Sequence, residues 1–312
     1  MLSRTADNLF WTARYMERAD YLARILDSAQ RLSAMPAASN GQNLWESVIA
    51  SAGAAEAFHA KHETANETTV RDFLAFDPEN PSSIWSCLAI ARTNGRAVRT
   101  ALTTEMWECL NDAWHGLQNL DASRTGRDAF THFLEWVERV TLVFDGSARR
   151  TMLRNDAYWF LRLGGAVERA DNTARILDVK YHLLLPEREP VGGGLDHFQW
   201  TTILREVSAL TAYHWVYRDR VKPWLVADLL ILNPQMPRSL ASCYAVTANH
   251  LDMLAEAYGA AGPSQRQAHR LHAQLASARI EDIFQSGLHE FITAFLADNA
   301  RLTSAIAEQY LV

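Results

Sequence analysis

ERADYLARILD, from Glu17 to Asp27, and ERADNTARILD, from Glu168 to Asp178, agree at nine of eleven positions and lie 151 residues apart in a chain of 312. Glu17, Asp20, Arg24 and Asp27 fall at i, i+3, i+7 and i+10, which places them on one face of an α-helix. Glu168, Asp171, Arg175 and Asp178 repeat that spacing. Around the first copy, Phe10, Ala13, Met16, Ala19, Ala23 and Leu26 form an apolar stripe at steps of three and four. Each phrase therefore reads as a helix with one greasy face and one charged face.

Further echoes surround the phrase. FDPENPSSIWSC, starting at Phe76, is matched by LNPQMPRSLASC, starting at Leu232, an offset of 156. Trp45 corresponds to Trp200, and the AFH ending at His59 to the AYH ending at His214. Matched blocks in one order, with little drift in offset, predict a duplicated unit with halves 1–150 and 151–312. The two halves are expected to pack into one compact body around a pseudo-twofold axis, because their charged helices need partners. Strand signals are nearly absent, and Asn40-Gly41 joins helical patterns rather than alternating ones. Breaks are read at FDPENPSS, DGSARR, LPEREPVGGGLD, LNPQMPRS and YGAAGPSQ. The expectation is an all-α bundle of about twelve helices.

Composition excludes several classes. Hydrophobic residues make up 48% of the chain, enough for a large core, and ten tryptophans imply wide helix contacts. A net charge of −6 offers no basic field for nucleic acid or anionic lipid. No apolar run approaches the roughly 20 residues that span a bilayer. The N-terminus lacks the cationic, apolar and small-residue regions of an export signal, and three cysteines without a CxxC pair fit reduced thiols. A cytoplasmic protein with no nucleic-acid or membrane partner is expected, and self-association stays open.

The charged stripe has two readings. Asp20–Arg24 and Arg24–Asp27 can be ordinary intrahelical pairs on a solvated face, worth about 0.2–0.5 kcal/mol each. Yet Tyr21/Asn172 and Leu22/Thr173 differ between the copies while the charges do not. That contrast favours buried pairing, a site, or both. In the sharper reading the two helices cross, carboxylates of one reach arginines of the other, and Arg24 and Arg175 pair across the axis. A cleft lined by these groups could raise the pKa of Glu17 or Glu168 into general acid–base range.

NLFWTARYMERADYLARILD, NPSSIWSCLAIARTNGRAVRTALTTEMWECLN and RNDAYWFLRLGGAVERADNTARILDVKY together resemble the bacterial alpha-E domain family. The resemblance runs over essentially the whole chain. It implies a large all-helical protein, encoded beside ATP-grasp proteins of peptide-ligase type, transglutaminase-like peptidases and the proteasome-like Anbu peptidase. It places the arginine of the family's first phrase on Arg14. The corresponding position in the second phrase is Gly165, where the family usually has another arginine, and this departure weakens any symmetric two-arginine mechanism. Arg92, Asn94, Arg99, Glu105 and Trp107 match the family's middle block, and Pro237, Arg238 and Ser239 its PRS phrase. Ser82, Ser83 and Ser239 also read simply as helix N-caps after a proline turn.

Other chemistries find little support. Glu56 and His59 form one Glu-x-x-His, but Thr211 precedes His214 in the echo, so a diiron set is incomplete. His59/His62 and His269/His272 have metal-compatible spacing but no evident third ligand. VGGGLD lacks the Lys-Ser/Thr of a phosphate-binding loop, and Cys87 and Cys243 sit at apolar helix positions. No cofactor or metal is called for. Two functions remain: a helical accessory subunit that shapes or presents a peptide for an ATP-grasp ligase or peptidase, or an enzyme acting on amide, peptidyl or aminoacyl groups through Glu17 and Glu168.

Overall fold

A computed structural model describes residues 1–34, 41–120, 126–183 and 194–311, and among these it contains fifteen α-helices and no strand. Two long helices form the centre. Helix α1 (Ser3–Ser33) and helix α8 (Asp156–Leu183) carry the repeated phrases and pack on each other more extensively than any other pair. The apolar stripe of α1 lies inside: Phe10, Met16, Ala19, Ala23 and Leu26 are all buried. So are Leu9 and Leu22 beside them, and each such side chain contributes about 1.5–3 kcal/mol by leaving water. The two backbones meet closely at one point, where a Cβ on Gly164 would stand 2.1 Å from the Phe10 carbonyl oxygen. Only glycine fits there, and this approach lets the charged turns that follow face each other.

Around α1 pack α5 (Ile84–Ala97) and α7 (Arg127–Thr151), with α6 (Thr104–Gln118) bridging these two. Around α8 pack α12 (Leu240–Tyr258) and α15 (Leu288–Ile306), with α13 (Pro263–Ser277) bridging them. Helix α2 (Gly41–Ser51) packs on α8 and α1, and α9 (Gly194–Glu206) on α1 and α8. Short helices α3 (Ala55–His59), α4 (Glu67–Arg71), α10 (Leu210–Tyr217), α11 (Pro223–Ile231) and α14 (Ile280–Ser286) complete the set of described α-helices. Several of these are too short for a sequence period to register, so a dozen becomes fifteen.

The proline turns behave as their chemistry dictates. Ser83 caps α5 by accepting from the Ser86 amide at 3.1 Å, and Ser239 caps α12 by accepting from the Ser242 amide at 3.0 Å. One break is absent. DGSARR does not interrupt the chain, because α7 runs through it to Thr151. Gly146 faces open space, so its helix penalty of about 1 kcal/mol is outweighed by the buried Phe144 and Ala148 on either side. Residues 35–40 and 184–193, which hold much of two other expected breaks, lie outside the described residues.

Candidate functional site

Where α1 and α8 cross, each glutamate of the repeated phrase lies in the interior: Glu17 is 8% exposed and Glu168 2%. A lone buried carboxylate is costly, so its partners decide what the site is. Arg169 donates to both Glu17 oxygens, Nε to Oε1 at 2.8 Å and Nη2 to Oε2 at 2.5 Å. In return Arg18 Nε donates to Glu168 Oε1 at 2.6 Å. The Glu-Arg dipeptide of each helix thus receives from the other with its acid and gives with its base.

A second guanidinium reaches each carboxylate from a different place. Arg238, in the turn before α12, donates Nη1 to Glu17 Oε1 at 2.9 Å and Nη2 to Asp20 Oδ2 at 2.6 Å. Its position is set by the capping Ser239 beside it. Glu168 instead takes its second partner from α1 itself: Arg14 Nε donates to Oε2 at 2.7 Å while its guanidinium lies over the Trp11 ring at 4.6 Å. Ser82 occupies the place that the echo gives to Arg238, and there it accepts from Arg18 Nη1 at 3.1 Å.

Asp20 completes the cluster. It accepts from Arg24 at 2.8 and 3.1 Å, from Arg238, and from the Thr141 hydroxyl at 3.0 Å. Burial alone would raise its pKa, but Arg238 and Arg24 outweigh it and hold the carboxyl down at about 2. Burial likewise opposes ionisation of Glu168, and Arg14 with Arg18 holds its pKa below the ordinary value. Both are carboxylates at neutral pH. Beside them the thiols of Cys87 and Cys243 are buried, and burial pushes each up to about 12, so they stay protonated.

The expected pairing of Arg24 and Arg175 across the axis does not occur. Arg24 pairs with Asp20 on its own helix and with Glu138 of α7 at 3.1 Å, and Arg175 with Asp171 on its own helix at 2.6 Å. The reason is angular. Residues four apart lie on the same face and find each other first, whereas Glu17 and Arg18, adjacent in sequence, splay around the helix and reach across to α8. Arg18 and Arg169 stand beside the glutamate in both phrases but off the face that carries Glu17, Asp20, Arg24 and Asp27. Arg92 lies away from this crossing, donating to the Asn111 side chain at 3.0 and 3.2 Å between Trp107 and Trp114. Asn94, also on α5, is half-buried and takes no part in the network.

Little room remains around the carboxylates. A hollow of about 70 Å³ touches Glu17 and Asp20 beside Gly165, and another of about 150 Å³ touches Glu168 and Asp171 beside Ser82. Among the described residues no three His, Cys, Asp or Glu side chains cluster as a metal site, and no helix is long and apolar enough to cross a membrane. His59 instead faces Glu46 at 3.2 Å, and His269 faces Asp252 at 2.7 Å.

An all-helical chain that carries Glu-Arg dipeptides fits a known family description. Residues 1–311 match the Alpha-E family, described as a predicted alpha-helical domain with a conserved ER motif. The chain belongs to the Alpha-E family, and Glu17-Arg18 and Glu168-Arg169 are the Glu-Arg dipeptides just described. No curated protein and no solved structure matches it.

Proposed function

We propose that this protein is a helical accessory subunit of a cytoplasmic ATP-grasp peptide-ligase or peptidase system, shaping or presenting a peptide rather than carrying out chemistry at its Glu-Arg pairs. The observation that carries the reading is the double occupancy of each glutamate. Glu17 and Glu168 each accept from two guanidinium groups. A general acid or base must exchange a proton with a substrate atom within hydrogen-bond reach. Glu168 is held ionised by its two arginines, and the hollow beside it is too small to bury a substrate of ordinary size, for which pockets of roughly 300–1,000 Å³ are usual. A carboxylate so held is suited to joining helices.

The same contacts support a duplicated unit with a pseudo-twofold axis between α1 and α8. Reciprocal donation by Arg18 and Arg169, and the parallel packing of α5, α6 and α7 on one side with α12, α13 and α15 on the other, follow from such an axis. The boundary between units 1–150 and 151–312 falls close to the break between α7 and α8.

Co-expression with the ATP-grasp protein and peptidase encoded beside it tests the function. The expected result is co-purification with one of them, and ligase or peptidase activity that depends on this chain while the chain alone turns nothing over. Robust hydrolysis or ligation by the isolated chain, lost in Glu168→Gln, would overturn the reading in favour of an enzyme.

A further inference from the structure

A cavity of about 370 Å³ lies away from the Glu-Arg crossing, between α1, α7 and the end of α9. Its lining is mostly charged, and most of those charges are already matched. From α1, Arg24 is paired with Asp20 and Glu138, and Arg31 with Asp27 at 2.7 Å. From α7, Glu138 answers Arg24, and Glu135 answers His132 at 3.6 Å. Two adjacent residues at the end of α9 remain.

Arg205 has no hydrogen-bond or ion-pair partner among the described residues. Glu206 has only the Ser28 hydroxyl. The half-buried Glu206 side chain stands between the polar cavity and a smaller hollow of about 40 Å³ walled by Ile25, Ala29, Ile176 and Ile203, whose apolar wall disfavours the charged carboxylate. That desolvation raises its pKa to about 8, so at neutral pH it is largely a neutral acid. Ser208, a non-glycine residue at φ 54°, also lines the cavity, and its hydroxyl accepts from Arg24 Nη1 at 2.9 Å. Strain of this kind persists where the surrounding structure fixes it, and it recurs at binding sites.

We propose that this cavity binds a small zwitterion of about dipeptide size, its carboxylate taken by Arg205 and its ammonium by Glu206 together with Glu138. Such a ligand supplies both partners at once: an anion for the unpaired guanidinium, and a cation for a carboxyl that has no ion-pair partner. A simple anion would leave Glu206 unmatched, and a simple cation would leave Arg205 unmatched. An ammonium beside Glu206 favours its carboxylate, so binding near neutral pH releases a proton from that side chain. The ligand would also lie within one residue of the Glu-Arg network, because Arg24 touches both the cavity and Asp20. The site is independent of whether a ligase docks on the chain.

Calorimetric titration of the purified full chain with L-alanyl-L-alanine near pH 7, in buffers of different ionisation enthalpy, tests the proposal. N-acetyl-alanylalanine, alanylalanine amide and free alanine serve as the comparison ligands. The dipeptide is expected to bind with release of a proton, and each blocked form to bind about tenfold or more weakly, the scale of one lost charge-assisted hydrogen bond. Free alanine, which carries its two charges closer together, is expected to bind more weakly than the dipeptide. Glu206→Gln should abolish the proton release, and Arg205→Ala, an exposed position that leaves the fold intact, should weaken the dipeptide but not its amide. Absence of dipeptide binding at millimolar concentration, or equal binding of the blocked forms to the unsubstituted chain, would overturn it.

Discussion

The two ends of the Glu-Arg crossing solve one electrostatic problem with different residues. Glu17 draws its second guanidinium from Arg238, far along the chain, and Glu168 draws its own from Arg14, one turn from the crossing on α1. Where one end has Arg238 the other has Ser82, and where one has Arg14 the other has Gly165. Each substitution taken alone removes a cation from a buried acid. Taken together they leave two guanidinium groups on each glutamate. What the fold preserves is the charge balance at each carboxylate, and the position that supplies it is free to change.

The ends are not equally committed. Arg238 also holds Asp20, which is 3% exposed, whereas Asp171 at the corresponding place has a side chain 21% exposed and is paired with Arg175. Loss of Arg238 therefore takes one guanidinium partner from two buried carboxylates at once, leaving Glu17 with Arg169 and Asp20 with Arg24. Arg238→Ala is expected to cost about 3–5 kcal/mol in urea denaturation, the range for breaking a buried pair by removing one partner. Arg14→Ala, which leaves Glu168 with Arg18, should cost clearly less. Equal losses would break the comparison.

The equivalence can be sharpened by transplanting the missing arginine. Ser82→Arg in an Arg14→Ala background puts a guanidinium where the other end keeps Arg238. It should recover part of the loss, with a coupling energy of about 0.5–3 kcal/mol in the double-mutant cycle. Ser82→Arg that is no better in the Arg14→Ala background than in the unsubstituted chain would show that the two ends are not interchangeable.

Acid should weaken the Glu17 end through Asp20. The folded-state pKa of Asp20, about 2, lies below its ordinary 3.8, so its contribution is complete above about pH 4 and is lost as pH falls towards 2. The shift corresponds to stability on the order of 2 kcal/mol. Glu206 runs the other way. Its pKa is raised from 4.5 to about 8, so its contribution is complete below pH 4.5 and declines as pH rises to about 8. Denaturation midpoints measured from pH 2 to 9 should therefore fall at both ends, and Glu206→Gln should flatten only the alkaline limb. An alkaline limb unchanged by that substitution would contradict the neutral acid. At the small end of the scale, Arg92→Ala, far from the crossing, should cost no more than about 1 kcal/mol.

Much of this architecture is legible in the residues. The repeated phrase locates the two central helices, and the serines after each proline turn predict caps that form. The pairing partners were less legible, because face-counting on one helix finds the i, i+4 pairs of Arg24 and Arg175 but not a residue that turns away to meet a second helix. Arg18 and Arg169 could have been found from their identity in both phrases next to a glutamate. Glu206 leaves no such trace. Its neutrality depends on Ile25, Ala29 and Ile176 arriving from other helices, and a sequence of α9 alone carries no sign of them.

The central claim is that Glu17 and Glu168 are structural acids. Catalytic carboxylates are commonly held at a cost to the fold, so neutralising one leaves stability unchanged or raises it. A carboxylate that joins two arginines does the opposite, since its loss leaves buried cations unpaired. The deciding measurement is the unfolding free energy of Glu168→Gln against the unsubstituted chain at pH 7. The account predicts a loss of about 3–5 kcal/mol. Stability equal to or above that of the unsubstituted chain would contradict it.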